Sequence, residues 1–367
     1  MSDKFEFSIG EDTLQKMLII KEKMGFGNKE WDEWMNHLMS SYENKVDDRP
    51  DIDKLIEKNH YKKNYEDWVK FFAINLNDIW NESSARELDP STNTNYQFSD
   101  SSAIVIGAGP SVKKHNHLEI LASSNYKGKI ICTDRSLAPA LHAGITPEKF
   151  PDFYVVTIDP AEKLKKFYSD EIIKEYGSKI KGIFTTLTHP ETVGNARKAG
   201  IKIHWIHSLF DYDEGKKSFN QISALIVRAK SHTRGLPAIQ TGGNVGTACW
   251  FIGWKILKCS TIGLIGINHG WEENDSWEDI FYHCDAPKNL DKNSIEFEKL
   301  FPKIYNPDFD CYAQLDPVFL YYSSALKEFI IRSPEWLTTI NATEGGCIFG
   351  ERIKSQTFKE FLNFYKN

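Results

Sequence analysis

The sequence predicts an α/β, Rossmann-like fold: a mostly parallel sheet with helices on both faces, preceded by an N-terminal helical region. The first observation is a set of short apolar runs typical of buried strands, at residues 103–107, 129–133, 153–158, 181–186, 202–206 and 261–267. The second is a set of helical patterns that alternate with these runs, at residues 135–143, 161–176, 191–199 and 244–257. Strands separated by helices favour a parallel sheet that is covered on both faces. The third is a glycine-rich turn after the first run, as in nucleotide-binding βα units.

The remaining segments divide the chain into smaller units around this core. Residues 1–44 carry a short alternating strand and two helical patterns, which resembles a ribbon-helix-helix module that pairs two chains. This predicts a homodimer through residues 1–44, with a helical subdomain as the alternative. Residues 54–95 are interpreted as a helical segment and linker, residues 100–350 as the core and residues 351–367 as a C-terminal helix. Residues 271–316 are expected to form a loop or helical insertion over the mouth of the site.

Composition argues against several classes of protein. A net charge of −6 over 367 residues disfavours a general nucleic-acid binder. No apolar run approaches the ~20 residues of a membrane-spanning helix, and the first residues lack the pattern of a secretory signal. The six cysteines are scattered, which is typical of reduced thiols and argues against a zinc site. We therefore expect a cytoplasmic protein with small-molecule partners.

The strongest functional signal is the turn after the first predicted strand, which contains Gly107, Gly109, Pro110 and Ser111. Glycines there allow a sharp turn and a close approach to a ligand, and the N–H groups that follow suit a phosphate. These residue types predict nucleotide binding at the four positions, with an ordinary βα turn as the alternative. Val112 stands where the dinucleotide fingerprint has its third glycine, which argues against a standard NAD site.

Polar residues follow the next three predicted strands, and ligands bind at the carboxyl ends of strands in such sheets. Asp134 is placed to hydrogen-bond a ribose hydroxyl, with capping of the following helix as the alternative. Asp159 is placed to bind a metal or a ligand, again with capping as the alternative. Thr186 opens a hydroxyl-rich loop suited to sugar or phosphate contacts, and a polar turn without a ligand explains it equally well.

Two further segments complete the predicted site. Gly242 and Gly243 precede a helix for which Asn244 is a natural N-cap, so they form a second candidate cradle for a nucleotide. Asn268 and His269 follow the last core strand on a glycine-flanked turn. We count Asn268 with the nucleotide-binding residues. His269 is the leading candidate for an acid or base, because imidazole titrates near neutral pH.

Together these motifs resemble the MptE-like family, which includes archaeal 6-hydroxymethyl-dihydropterin diphosphokinases and the bacterial motility accessory factors (Maf) of flagellin glycosylation. The resemblance spans residues 100–350. It lies in Gly-Ala-Gly-Pro-Ser at 107–111, Gly-Ile-Thr-Pro at 144–147 with Pro-Asp at 151–152 and Asp-Pro at 159–160, Thr-Gly-Gly-Asn-Val-Gly at 241–246, Ile-Gly-Ile-Asn-His at 265–269 and Ile-Asn-Ala-Thr-Glu-Gly-Gly at 340–346. The first motif is also similar to the nucleotide-binding turn of bacterial sialyltransferases that use CMP-sugars. The resemblance implies a Rossmann-like, nucleotide-dependent transferase.

The resemblance leaves three functions open. The first is glycosyl transfer from a CMP-linked sugar to a sugar or protein acceptor, with Asp159 and His269 flanking the reacting carbon. The second is Mg-dependent diphosphoryl transfer from ATP to a pterin alcohol, with Asp159 on the metal. A second carboxylate near Asp159 would favour this function, and only Glu162 is close along the chain. The third is a non-catalytic nucleotide-binding or scaffold protein that forms a dimer through residues 1–44.

Overall fold

The computed structural model describes residues 11–23, 27–35, 62–92, 101–209, 223, 235–276, 291, 293–315 and 317–365. The chain forms two compact units, Met1–Asn59 and His60–Asn367. Among the described residues, no helix combines the length and the apolarity that crossing a membrane requires.

The first unit contains helix α1 (Glu11–Lys23) and a helical turn at residues 31–35. Lys21 connects them, because its ammonium group donates to the carbonyl oxygen of Lys29 and lies 5.1 Å from the centre of the Trp31 ring. The strand that is predicted before α1 lies outside the described residues. The homodimer through residues 1–44 therefore stays a prediction.

The described residues of the second unit form thirteen strands. They are β1 (Ser83–Ser84), β2 (Ser102–Ile106), β3 (Lys129–Thr133), β4 (Phe153–Thr157), β5 (Lys181–Thr185), β6 (Lys202–Ser208), β7 (Ala238–Ile239), β8 (Thr261–Ile265), β9 (Trp271–Glu272), β10 (Lys303–Asn306), β11 (Cys311–Gln314), β12 (Thr338–Asn341) and β13 (Ile353–Ser355). All but β9, β10 and β11 belong to one sheet whose pairs are parallel. The six predicted strands and the α/β fold class are confirmed.

The order of the strands reverses beside β2. From β2 the chain moves outward through β3, β4, β5 and β6, and it then returns to the other side of β2 with β8, β12 and β13. Strands β2 and β8 pair from Ser102 and Thr261 to Ile106 and Ile265. Ligands of open α/β sheets bind at such a reversal, outside the carboxyl ends of the strands. The site is therefore expected beyond Ile106 and Ile265.

Helices cover both faces of this sheet. The helices of the second unit are α2 (Lys62–Asn81), α3 (Ser111–Lys114), α4 (His117–Ala122), α5 (Asp134–His142), α6 (Glu171–Tyr176), α7 (Pro190–Lys198), α8 (Val245–Phe251), α9 (Ile295–Leu300), α10 (Pro317–Ile331) and α11 (Phe358–Phe364). Ile104 and Ile106 point into a core with α2, α4, α5, α7 and α11. Ala103 and Val105 point to the opposite face, into a second core with α8 and α10. This alternation follows from the pleat of a strand, and both cores are closed to solvent.

Two of the predicted helices are interrupted. Residues 161–176 form a 3₁₀ segment, Glu162–Tyr168, and then α6, because the Asp170 side chain accepts a hydrogen bond from Ile172 N at 3.1 Å and begins a new helix. Residues 244–257 form α8 followed by a π-helical turn, Ile252–Ile256. The sequence pattern does not predict β1, β7, β12 or β13, because strands of two to four residues are too short to show an apolar run.

Part of the segment 271–316 differs from the predicted loop or helical insertion. Its described residues form a small antiparallel sheet in the order β10, β11, β9. Trp271 of β9 packs with Phe297 and Phe301 of the α9 region in a separate apolar cluster. The insertion thus has a small core of its own.

Replacement of Gly263 on β8 by alanine is expected to destabilise the fold. A Cβ atom there would lie 2.8 Å from two ring atoms of Phe361, whose side chain is wholly buried. Overpacking of this kind costs about 1–3 kcal/mol of unfolding free energy. Denaturant unfolding checks it, with Gly194→Ala on α7 as the control, because no atom lies within 4 Å of a Cβ there. Equal stability of the two variants would contradict the packing.

Candidate active site

The loops that follow β2 and β8 run side by side beyond the sheet. Gly107 N donates to Ile265 O at 2.8 Å, and Gly109 N donates to Gly266 O at 2.9 Å. These bonds continue the pairing of the two strands past their ends. The N–H groups of Gly107 and Gly109 are thus already hydrogen-bonded within the protein.

Glycine is required in this turn because the two loops almost touch. A Cβ on Gly109 would lie 2.2 Å from Asn268 Oδ1, and a Cβ on Gly107 would lie 2.3 Å from Gly266 O. Real Cβ atoms do not approach other atoms so closely, so either substitution would force the loops apart. The glycine pattern therefore has a purpose within the protein before any ligand is considered.

Asn268 joins the ends of three strands. Its Oδ1 accepts a hydrogen bond from Ser111 Oγ at 2.8 Å, in the loop after β2. Its backbone oxygen accepts one from Cys347 N at 2.8 Å, in the loop after β12. Both Asn268 and Ser111 are buried, and Pro110 beside them has no N–H to donate. Ser111 and Asn268 are therefore close together, as the predicted site requires, and they also stabilise it.

The second predicted nucleotide cradle, at the start of α8, lies next to the first, in the turn after β2, with Ile267 between them. A Cβ on Gly107 would lie 2.5 Å from Ile267 Cδ1, and a Cβ on Gly246 of α8 would lie 2.7 Å from the same atom. The N-terminal turn of α8 and the turn after β2 are thus on either side of one methyl group. Asn244 is the N-cap of α8, as predicted, and its Oδ1 accepts from Thr247 N at 3.0 Å.

Gly242 and Gly243 both have left-handed backbone conformations, with φ of +57° and +82°. A Cβ on Gly243 would lie 2.1 Å from a ring atom of Tyr322 on α10. The aromatic ring therefore packs directly on the backbone of this loop. Helix α10, which follows the insertion, forms one wall of the site.

His269 is buried and has an unusual backbone, with φ of +47°. Its Nδ1 has no hydrogen-bond partner among the described residues, and its ring lies 5.7 Å from the ring of Phe319 on α10. Burial, and secondarily the charge of Lys327, lowers the pKa of His269 to about 3. The imidazole is therefore neutral near pH 7. It can donate a hydrogen bond there, but it is a weak base.

The chain brings Asp134 and Asp159 together at the ends of the adjacent strands β3 and β4. Asp134 is buried and accepts from Arg135 N at 2.8 Å. Burial raises the pKa of Asp134 to about 7, and the nearby Asp159 carboxylate contributes to the rise, against a hydrogen bond from Thr157. Carboxyl groups whose pKa lies near 7 are typical of functional sites. The sequence identified both residues but not their proximity.

Helix capping is the alternative role for both carboxyl groups, and the two differ in how their side chains relate to the following helix. Helix α5 begins at Asp134 itself and has Thr133 at its N-cap position, so Asp134 is not the cap that the alternative supposed. Asp159 is exposed, and its Oδ1 accepts from Ala161 N at 2.7 Å. That bond fixes the turn before the 3₁₀ segment and leaves the other carboxylate oxygen available.

The hydroxyl group of Thr186 is hydrogen-bonded within the protein. It is buried, and its Oγ1 lies 2.8 Å from Nδ1 of His207 on β6. Three strand spacings separate the end of β5 from that of β2, which is about 14 Å. The structure therefore does not bring Thr186 to the glycine turns.

A cleft of about 300 Å³ opens between the turn after β2 and helices α4 and α5. Ala108 lines it, and the Ala108 N–H has no hydrogen-bond partner among the described residues. Lys113 and Arg135 give the cleft two positive charges against the single negative charge of Glu119. The size is at the lower end of that of ligand-binding pockets, and the charge suits an anion.

The loop after β12 contains most of the last family motif, Ile-Asn-Ala-Thr-Glu-Gly-Gly at 340–346. Glu344 has a left-handed backbone with φ of +60°, accepts from Phe358 N at 3.0 Å and lies 3.3 Å from Nε2 of His117. Burial lowers the pKa of His117 to about 4, against the attraction of Glu344. Gly346 follows, where a Cβ would lie 2.6 Å from Asn268 O. This motif positions Asn268 from the side opposite to Ser111.

Sequence reasoning missed two residues of α10 that border the site. Phe319 contacts His269, and Lys327 places its ammonium group 4.5 Å from the centre of the Phe349 ring. The apolar pattern of residues 317–334 itself predicts a helix. Which side of it faces the loops depends on tertiary packing, and no local signal marks that side.

A family model described as 6-hydroxymethylpterin diphosphokinase MptE-like matches residues 70–274. Among solved structures, the chain is similar to the MAf glycosyltransferase from Magnetospirillum magneticum AMB-1, with 13% sequence identity and a TM-score of 0.49. That similarity covers 72% of this chain and 34% of the other, so the chain spans about a third of the length of that protein. No curated protein matches the chain.

Replacement of Asp134 by asparagine is expected to make the protein more stable than wild type, by a difference that grows as pH rises. The folded-state pKa of about 7 exceeds the ordinary value of 3.8, so the folded state binds more protons than the unfolded state between about pH 4 and pH 7. The unfolding free energy therefore falls across this window. Asparagine keeps the acceptor for Arg135 N without that loss, so Tm should exceed wild type by at least about 2 °C at pH 8 and match it near pH 4. A Tm difference between variant and wild type that does not change with pH would contradict the burial of an ionisable Asp134.

Proposed function

This chain belongs to the MptE-like family, and we propose that it is a nucleotide-dependent transferase that moves a glycosyl group from a CMP-linked sugar. Membership of the family supports a transferase function. The observation that carries the nucleotide proposal is the convergence of the turn after β2, the start of α8 and the loop after β8 at the reversal of strand order. The positively charged cleft beside Ala108 would take the phosphate.

In the proposed reaction the acceptor hydroxyl attacks the anomeric carbon of the donor. A carbon–oxygen bond to the acceptor forms, the bond from that carbon to CMP breaks, and the electron pair leaves with the phosphate. The hydroxyl proton passes to a general base, which works best when its pKa is near the ambient pH. Asp134 meets that condition within its pair with Asp159, whereas His269 does not. We therefore assign proton acceptance to the two carboxyl groups and hydrogen-bond donation to His269.

CMP is expected to stabilise the protein through the turn after β2. At a hundredfold excess over its Kd a ligand adds about 2.7 kcal/mol of stability, which is readily seen as a rise in Tm. The screen compares CMP, CTP, ADP, ATP and GDP, each with and without Mg²⁺. Ala108→Glu should abolish the rise by repelling phosphate, and the uncharged Ala108→Gln should retain most of it.

Two results of this screen would contradict the proposal. If no nucleotide raises Tm, both enzyme functions fail and the non-catalytic scaffold remains. If the Glu and Gln variants respond alike, the turn after β2 is not where the phosphate binds.

The pairing of Asp134 with Asp159 favours a second candidate, ATP-dependent diphosphoryl transfer to a pterin alcohol. A second carboxylate beside Asp159 is the feature that this chemistry needs, and Asp134 supplies it. Among the described residues no group of three or more His, Cys, Asp or Glu could hold a metal by itself. Mg²⁺ commonly takes only one or two carboxylates and completes its shell with substrate phosphates and water, so the pair fits that ion. Asp134 and Asp159 would hold it, and the ion would neutralise phosphate charge.

Removal of the Asp159 carboxylate tests this candidate directly. Asp159→Asn is expected to lower the affinity for Mg²⁺ in the presence of ATP at least about tenfold, because one of two charged ligands is lost. Glu162→Gln is the matched control, since Glu162 is exposed, lies one turn away and pairs with Lys165 at 2.7 Å. Isothermal titration gives both affinities. Equal losses of Mg²⁺ affinity in the two variants would indicate a general effect of removing negative charge and would contradict a metal site at Asp159.

A further inference from the structure

Helix α10 buries part of an ammonium group without a counter-ion. Lys327 is half-buried, and its Nζ lies 4.5 Å from the centre of the Phe349 ring, whose face attracts a cation. No carboxylate of the described residues forms an ion pair with it. Burial lowers the pKa of Lys327, against a smaller effect of the Cys347 thiol. An ammonium group that is desolvated and unneutralised in the free protein is suited to receive an anion.

The periodicity of α10 places Lys327 on the side that faces the loop after β8. Phe319, Ser323 and Lys327 are spaced by four residues and therefore share one stripe of the helix. The first member packs against the ring of His269, and the second is buried. The charge of Lys327 also acts on His269, where it adds to the effect of burial on the imidazole pKa. Lys327 therefore lies on the side of α10 that faces His269.

His269 provides the second, independent observation. It is 5% exposed, and its Nδ1 has no hydrogen-bond partner among the described residues. A buried polar atom without a partner costs about 1–3 kcal/mol, so such atoms generally serve a ligand or a function. The left-handed backbone of His269 is a further local cost of the kind that collects at binding sites.

We propose that Lys327 and His269 together bind an oxyanion of the substrate, beside the loop after β8. An ammonium group and a neutral imidazole N–H are both donors, and an oxygen anion accepts from both at once. The proposal rests on the proposed function for the source of that oxyanion. Because the proposed function places the nucleotide phosphate in the cleft beside Ala108, the oxyanion expected here is the carboxylate of an acidic sugar, and a ligand titration distinguishes it from the phosphate. Lys327 lies outside residues 70–274, so the family match does not assign this role.

The test compares Lys327→Met, which removes the charge and keeps the length of the side chain, with Lys327→Arg, which keeps the charge. Lys255→Met is the matched control, because the Lys255 ammonium also lies on an aromatic ring, 3.6 Å from the centre of Trp254, but on an exposed side chain. Isothermal titration measures binding of cytidine, CMP, CMP-N-acetylneuraminic acid and pyrophosphate. Loss of a hydrogen bond to a charged group weakens binding about 10- to 100-fold.

Each result decides the proposal. Weaker binding of CMP and of the sugar nucleotide by Lys327→Met, with cytidine unchanged and Lys327→Arg near wild type, identifies the phosphate as the oxyanion. Weaker binding of the sugar nucleotide alone identifies the carboxylate. Wild-type affinity for all ligands in Lys327→Met overturns the inference and leaves the proposed function intact.

The same experiment separates failure of the inference from failure of the proposed function. If wild type binds no nucleotide, the proposed function fails, and the pyrophosphate titration decides the inference alone. Pyrophosphate binding that Lys327→Met loses and Lys255→Met keeps would support an oxyanion site. Binding that all variants share, or no binding at all, would overturn it.

Discussion

The contact between the loops after β2 and β8 is the constraint on which the rest of the site depends. Two hydrogen bonds extend the strand pairing beyond the sheet, and they require backbone contacts too close for any side chain at Gly107 or Gly109. Asn268 then fixes both loops to the one after β12 through bonds from Ser111 and Cys347. Because these polar groups are buried, each bond that is lost would leave a costly unpaired group. The site is therefore built as one unit with the sheet and not as separate flexible loops.

Burial acts in opposite directions on the pKa values of the two kinds of ionisable group in this site, and in both it disfavours the charged form. It raises the pKa of Asp134 and lowers that of His269. The buried interior of the site thus favours the neutral forms of these groups, while Lys113 and Arg135 line the cleft at its edge. A charged ligand would meet its counter-charges at the rim and neutral hydrogen-bonding groups further in.

The sequence predicts the sheet well, because buried parallel strands are continuous apolar runs and the loops after them are where ligands bind. It predicts Asn244 as a helix cap from residue type alone. It could not decide what Gly107 and Gly109 are for, since close approach to a ligand and close approach to Gly266 require the same residue. It also could not pair Asp134 with Asp159, because their proximity comes from the adjacency of β3 and β4 rather than from spacing. For Thr186 the sequence correctly predicts the position at a strand end, but its hydroxyl is hydrogen-bonded to His207 and does not point to the glycine turns.

The strand order has a consequence for how the chain acquires its structure. Strand β2 is flanked by β3, which follows it closely, and by β8, which comes only after all of β3 to β6 and a long crossover. During synthesis from the N-terminus, one side of β2 therefore stays an open sheet edge until residues 261–265 leave the ribosome. Such an edge can pair with other chains, and contacts between residues so distant along the sequence form slowly. The strand that begins the glycine turn is thus the place where a nascent chain of this fold is most exposed to misassembly, and that edge closes when β8 pairs with it and its loop contacts the turn.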